Sequence, residues 1–521
     1  MRHFNPSKDL KTKNNTVFVG MYSLFYYICK QITKEMDNYQ VFKVRLLWEN
    51  IEKLFHLKNI QVKGLSYNPI KNAIRLGKDH KLHLSFKNKN TEAIDNDYFR
   101  VLPEIELKNG SDSYMIPHGY AVYDDLKVSY NQLRKLDIKI NRIDYGVVDD
   151  KLEYYWRYVY PFKFGRWFLQ TGSLIYVEED GRQVALSYLK PIIGNTDMHV
   201  FLTERNDNCY LVIQSGSKIN SEEMYKRVNA ITTTIGIITG NIFGDYHFQI
   251  TSDDKDFDSF KSLKFGTLDD TRYSFYRIVN NKWVESYDLM NKYEYQHYAQ
   301  EMLEKCVSDT TSYFDNKPVD ATTFNNLVNL CYNNNDIAIS ASMLLEGSTL
   351  TIKYQPSIFH VALEAITSAL MKNAQQKAKP IVGNDKYQRI VKPSLVNVLK
   401  GIKELSEEAK TIYIKKLESF NSPPNQDKLG VFFNTFGYIL SDEDKKAIEL
   451  RNYTFHGNLS HILKDSAEPE WGIYATALRL HKLCCILLLK AAGYTGRILN
   501  NEVILGVKEA CERKEPPYLY I

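Results

Sequence analysis

The hydrophobic pattern of this 521-residue chain changes period near residue 285, and that change does most to limit the folds open to it. Upstream, short apolar or alternating runs are separated by turn residues, as in strands that bury a face and double back. Asn72 to Phe86 reads as a hairpin around Gly77-Lys78-Asp79, and Met198 to Gln214 as another around Arg205-Asn206-Asp207-Asn208. Arg100 to Leu107, Tyr120 to Tyr130, and Gly172 to Leu189 with its turn at Glu178-Glu179-Asp180-Gly181 continue the series. One helix interrupts it. Asn220 or Ser221 caps a segment in which Met224, Val228, Ile231, Ile235 and Ile238 keep helical spacing, and Gly240 ends it, so its stripe should pack on the sheet.

Downstream the spacing is helical. Ser286 to Ser308 is predicted as a Tyr-rich helix and Asn333 to Asp336 as a loop. Ile358, Val361, Ala362, Ala365, Ile366, Ala369 and Leu370 form one stripe, with His360, Glu364 and Thr367 as a polar line opposite, facing either solvent or a functional cleft. Pro393-Ser394 opens a long helix whose apolar positions run from Leu395 through Ile402 to Ile412. The expectation is an α+β chain: a strand-rich domain at residues 1–285, then an all-helical domain at 286–521.

Composition removes several functional classes. Seven cysteines, odd in number and scattered, form neither a disulfide framework nor a CxxC metal pattern, and they read as reduced thiols of a cytoplasmic protein. Cys484 and Cys485, with His481 nearby, lack further ligands at suitable spacing, so buried packing is the expectation and no metal is assigned. Asp254-x-Asp256-x-Asp258 imitates a calcium loop, but Ser259 replaces its turn glycine and Phe265 its bidentate glutamate. A solvated acidic loop is expected instead. Gly236, Gly240 and Gly244 form neither a dinucleotide fingerprint nor a phosphate loop, so no nucleotide hydrolysis is expected and no cofactor is assigned. The apolar stretch Tyr474 to Tyr494 carries Arg479, His481, Lys482 and Lys490 and reads as a buried helix, not a membrane span. Val17 to Cys29 follows basic residues but lacks a small-residue cleavage site, and it reads as a strand leading into an amphipathic segment.

The chemistry concentrates in Ser441 to His461. Ser441 and Asp444 have the spacing of a capping box, Asp442, Glu443 and Asp444 favour a helix start, and Gly457-Asn458 supplies a stop. Within lie Arg451, Asn452 and His456, with Asn452 and His456 on one face. A fixed guanidinium beside a group that titrates near neutrality suits RNA scission by the neighbouring 2′-hydroxyl: His456 moves a proton as acid or base, Arg451 holds the phosphate, and Asn452 orients either. Arg451 and His456 lie five positions apart, roughly 140° around an ideal helix. Two such helices facing each other across a dimer close the site better than one. Lys400, Lys403, Lys410, Lys415, Lys416, Lys445 and Lys446 are candidate phosphate contacts or ordinary surface charge, with Glu404, Glu407 and Glu408 interspersed. The net charge of +5 permits a nucleic-acid partner without requiring one.

Arg-Asn-x-x-x-His near the end of a helical domain resembles the ribonuclease motif of the HEPN superfamily, and Leu363-Glu364-Ala365 resembles the acidic position on an early helix of that family. The layout, strands first and this domain last, is similar to the ApeA group of anti-phage abortive-infection proteins. The resemblance implies a metal-independent endoribonuclease that cuts cellular RNA, tRNA among the candidates. It also implies a homodimer whose two protomers line one cleft with Arg451 and His456, with Glu364 supporting, while the N-terminal domain senses a phage-derived trigger or restrains activity. The alternative is a non-catalytic HEPN module that binds RNA or a protein partner, or only dimerises.

Overall fold

The computed structural model describes residues 41–55, 57, 58, 60–63, 71–76, 82–87, 102–129, 132–162, 174–179, 182–205, 208–244, 247–266, 272–273, 319–371, 380–422, 425–451, 453, 469–516 and 518–521. Among them a strand-rich region precedes a helical one, which makes the chain α+β. The main sheet has thirteen strands. Its centre is an antiparallel series in the spatial order Arg182–Leu189, Thr196–Arg205, Asn208–Ser215, Tyr155–Phe162, His247–Ser252, Ser262–Gly266 and Arg142–Tyr145. Lys71–Leu76 and Leu82–Lys87 pair antiparallel in a separate four-stranded sheet, as the first hairpin predicts, although its turn lies outside the described residues. The second predicted hairpin is present with Arg205 paired to Asn208. The helix expected at 286–308 and the segment 17–29 lie outside the described residues.

The main sheet is buried on both sides. Val200, Leu202, Leu211 and Ile213 face one core, while Phe201 and Val212 alternate into the other. The second core is closed by the four-stranded sheet and by helix α1 (Arg45–Phe55), whose Leu47, Trp48, Ile51 and Leu54 are buried. Helix α2 (Ser221–Thr239) covers the first. Its cap follows the prediction: the Asn220 side chain accepts the Glu223 N–H, and Gly240 closes the helix with a left-handed φ of 77°. The predicted stripe is buried, at about 1.5–3 kcal/mol per large aliphatic side chain. Ala230, Thr234 and Ile237 are buried as well, because α2 has a second neighbour: α3 (Ala321–Asn333) and α4 (Asn335–Gly347) pack on its other side.

One hydrophobic core therefore runs from the sheet through α2 into the helical region, across residue 285. It continues through α5 (Gln355–Met371), and the predicted long helix follows as two: α6 (Lys392–Gly401), entered through a π-helical turn, and α7 (Glu407–Phe420). Ile402 is extended at the break, Ser406 caps α7, and α8 (Asn425–Thr435) follows. The predicted apolar positions of α6 and α7 do not meet a core, since Val398 is 63% and Ile412 51% exposed. The loop expected at 333–336 shrinks to a single residue. Asn334 ends α3 and caps α4 by accepting the Ile337 N–H.

The acidic loop is a clamp built on its own backbone. Asp254 accepts the N–H groups of Asp258 and Ser259, which holds its carboxyl down at about 2 against the cost of partial burial, and Phe257 turns inward at a φ of 58°. Phe257 then lies 4.1 Å beneath the buried Arg157 guanidinium, which also donates to Gln214 and to the Lys43 carbonyl. Burial lowers the Arg157 pKa to about 9.

Gly236 marks the closest approach of α2 to its neighbours. A Cβ there would lie 2.6 Å from Leu345 Cδ1 and 2.7 Å from the Asn241 carbonyl oxygen. Leu345 can yield, but backbone cannot, so Gly236→Ala is expected to destabilise the fold by about 1–3 kcal/mol in urea denaturation. An unchanged midpoint would show that α2 and its neighbours separate without cost.

Candidate functional site

The expected motif helix is real at its start and shorter than its pattern. In α9 (Asp442–Glu449) Ser441 accepts the Asp444 N–H while the Asp444 carboxylate accepts the Ser441 N–H, a complete capping box. The helix breaks at Leu450, and Arg451 resumes helical structure beyond it. Asn452, His456 and the Gly457-Asn458 stop lie outside the described residues.

Arg451 meets the predicted acidic residue. Its Nη2 donates to Glu364 Oε2 at 3.0 Å and its Nε pairs with Oε1, a two-pronged ion pair across 87 positions of sequence. Both side chains are half-exposed, so the pair sits at the rim of the fold, where solvent limits its contribution to about 1 kcal/mol. Its value is positional, because it fixes the orientation of the guanidinium.

The polar line on α5 has a different character from the predicted one. Glu364 is on the surface, but His360, one turn earlier, is only 2% exposed and Thr367 is buried with its hydroxyl donating to the Leu363 carbonyl. Burial, assisted by the nearby Arg451 charge, lowers the His360 pKa to about 3. The imidazole beside this site is therefore neutral at ordinary pH. The sequence marked His360 as polar without marking it as buried; its place on the otherwise apolar turn Ile358 to Leu363 was the available signal.

A cluster of buried charge holds α9 against α10 (Pro469–Ala491). Arg479 donates to Glu502 at 2.7 and 3.1 Å, to Asp444 at 3.2 Å and to Glu515 at 3.3 Å, and Lys482 lies 3.3 Å from Glu502. Burial opposes the Arg479 charge, but Glu502, Asp444 and Glu515 outweigh it and raise the pKa. The Tyr438 hydroxyl donates to Asp444 as well. Sequence reading passed over this cluster. Its signal was present, since Arg479 and Lys482 interrupt an apolar helix and a buried cation demands partners.

Helix α10 contains a stretch, Gly472–Ala491, long and apolar enough by length and composition to cross a membrane, and most of it is buried inside the protein. Cys484 and Cys485 are buried within it, where burial raises both thiol pKa values. The Cys485 sulfur lies 3.8 Å from His481 Nδ1, and burial lowers the His481 pKa to about 3. Among the described residues no group of three or more His, Cys, Asp or Glu is arranged to hold a metal ion. The candidate phosphate-binding lysines are partly committed: Lys410 pairs with Glu407 and Lys445 with Asp442.

Two measurements check these assignments. Arg479→Met strands Asp444 and Glu502 with Lys482 as their one buried cation, and is expected to cost about 3–5 kcal/mol in urea denaturation. A loss below 1 kcal/mol would mean that water reaches the cluster. His360 and His481, with pKa values near 3 against about 6.5 in an unfolded chain, bind protons only after unfolding between those limits. Their contribution is complete above about pH 6.5 and falls as pH drops, by up to about 1.4 kcal/mol per pH unit for each. Denaturation at pH 7 and 5.5 should show this slope, and His481→Gln should reduce it; an equal slope in the variant would contradict the assignment.

In comparisons with known proteins, no family model matches the chain, and neither the curated proteins nor the solved structures yield a match.

Proposed function

We propose that the chain is a metal-independent endoribonuclease of the HEPN type that acts on cellular RNA as a cytoplasmic anti-phage effector. The observation that carries this reading is the ion pair between Arg451 and Glu364, which joins the motif arginine to the acidic residue that the resemblance singles out. Arg451 holds the scissile phosphate and balances charge on it as the 2′-hydroxyl attacks the phosphorus. His456 moves the proton to the leaving 5′-oxygen or from the 2′-hydroxyl, and Asn452 orients the phosphate or the imidazole. Glu364 keeps the guanidinium aimed. The bond broken is P–O5′ and the bond formed is O2′–P, which leaves a 2′,3′-cyclic phosphate and a 5′-hydroxyl. A homodimer brings Arg451 and His456 of two protomers to one cleft, and the strand-rich region senses a phage product or restrains cutting.

A second reading, a non-catalytic module that binds RNA or a protein, is favoured by a separate observation. Val398, Ile412 and Phe420 on α6 and α7 are exposed apolar side chains of the kind a partner covers.

The test is the fate of total RNA and tRNA incubated in EDTA with the wild type, Arg451→Ala, His456→Ala and Glu364→Gln, with end-group analysis. The expected result is cleavage to cyclic phosphate by the wild type, a loss of about 10²–10⁴-fold in His456→Ala and a comparable loss in Arg451→Ala. Glu364→Gln should be weaker but active. Strict magnesium dependence would defeat the mechanism, and equal RNA binding by all four proteins without cleavage would favour the binding module.

A further inference from the structure

The helix-facing side of the main sheet changes character along its width. Where α2 covers it, the face is apolar; beyond α2 it carries Gln249, Lys264, Asp144, His247 and Arg142 in register on three adjacent strands. Tyr158 pairs with Gln249 on the next strand and extends the same rung. This uncovered half is the floor of a cleft of about 730 Å³ between the sheet and the first turn of α2, a size that suits a small organic ligand.

We propose that this cleft is a binding site for a nucleoside phosphate. Planar recognition is provided by aromatic faces. Tyr225, on α2, is 59% exposed, and the His247 ring at the cleft is backed by the buried Tyr158 ring, nearly parallel to it at 5.5 Å and 13°. At the opposite side the Arg142 guanidinium lies 5.3 Å over the Tyr120 ring and is locked there by two hydrogen bonds to Asp144, at 2.9 and 2.7 Å. Stacking on such faces contributes about 1–3 kcal/mol per base and accepts any base. Gln249 and Asn141, lining the same cleft, offer amide donors and acceptors to a base edge.

Charge selects the phosphate. Asp144 answers Arg142, and Glu222 is turned to Lys226 at 2.8 Å. Lys264 on the floor and Lys151 on the rim form no ion pair with a described residue, and Asp150 is the carboxylate left to oppose them. The N-terminal end of the 19-residue helix α2 adds its positive dipole at the same mouth. A neutral sugar would leave both lysines unanswered. The cleft is separate from Arg451 and Glu364, so the inference stands or falls apart from the ribonuclease reading.

The experiment is calorimetric titration of the full-length protein with each of the four ribonucleoside triphosphates, and with adenosine and inorganic phosphate as partial ligands. At least one triphosphate should bind once per chain, with adenosine and inorganic phosphate each at least about tenfold weaker, since each lacks one half of the recognition. Lys264→Met and Tyr225→Ala should each weaken binding about tenfold or more while leaving the melting temperature unchanged, and Arg451→Ala should bind as the wild type does. No triphosphate bound at millimolar concentration would overturn the proposal. So would binding that survives Lys264→Met and Tyr225→Ala, or that is lost in Arg451→Ala.

Discussion

A sheet that buries both its faces must be covered twice, and this requirement organises the molecule. Antiparallel sheets often leave one side to water. Here the run from Tyr155 to Phe162 is nearly continuously buried because α1 and the four-stranded sheet close one side while α2 closes the other. Covering the sheet with a helix transfers the problem, because α2 is apolar nearly all round and needs cover of its own. Helices α3 and α4 provide it, and α5 and α10 extend the same core. Beyond the cover of α2 the same face of the sheet carries Gln249, Lys264 and Arg142.

The candidate site stands at the far end of that chain of packing. Helix α5 reaches it from the core side and carries Glu364, while α9 reaches it from a cluster in which buried Arg479 and Lys482 face buried Asp444 and Glu502. The two supports differ in kind. Apolar packing sets distance and tolerates small shifts, whereas the Arg479 fork fixes direction through bonds to carboxylates on three segments. Arg451 follows α9 by two residues, so the rigidity of the cluster is delivered close to the guanidinium.

Legibility in the sequence followed the range of the interaction. The hairpins and the capped ends of α2 and α9 rest on neighbours within a few residues, and Asn220, Gly240, Ser441 and Asp444 all behave as their types dictate. Glu364 was singled out through resemblance as a supporting residue, but its ion pair with Arg451 was not expected, since no periodicity joins positions 87 apart. What escaped was tertiary. Apolar spacing from Leu395 to Ile412 is compatible with one helix or two, and nothing local reveals that Val398 and Ile412 face water. His360 and Thr367 were assigned to a polar line by type, yet a hydroxyl that bonds back to its own helix and a neutral imidazole can both be buried at little cost. The cleft beyond α2 escaped because alternation gives a side chain its face of the sheet but says nothing of where the cover ends.

The continuity of the core across the strand-rich and helical regions has a consequence during synthesis. The sheet strands are complete once residue 266 has left the ribosome, but α10, which contributes Leu480 to Leu489 to the shared core, ends at Ala491. At the usual elongation rate of about 5–20 residues per second, roughly ten to fifty seconds separate the two events. Until α4 is complete at Gly347 the apolar side of α2 that belongs against α3 and α4 has no native partner, and the core that those helices share with α10 stays open until Ala491. A nascent chain of this design benefits from a holding chaperone, and a ribosome that stalls between those points releases a fragment with exposed apolar surface.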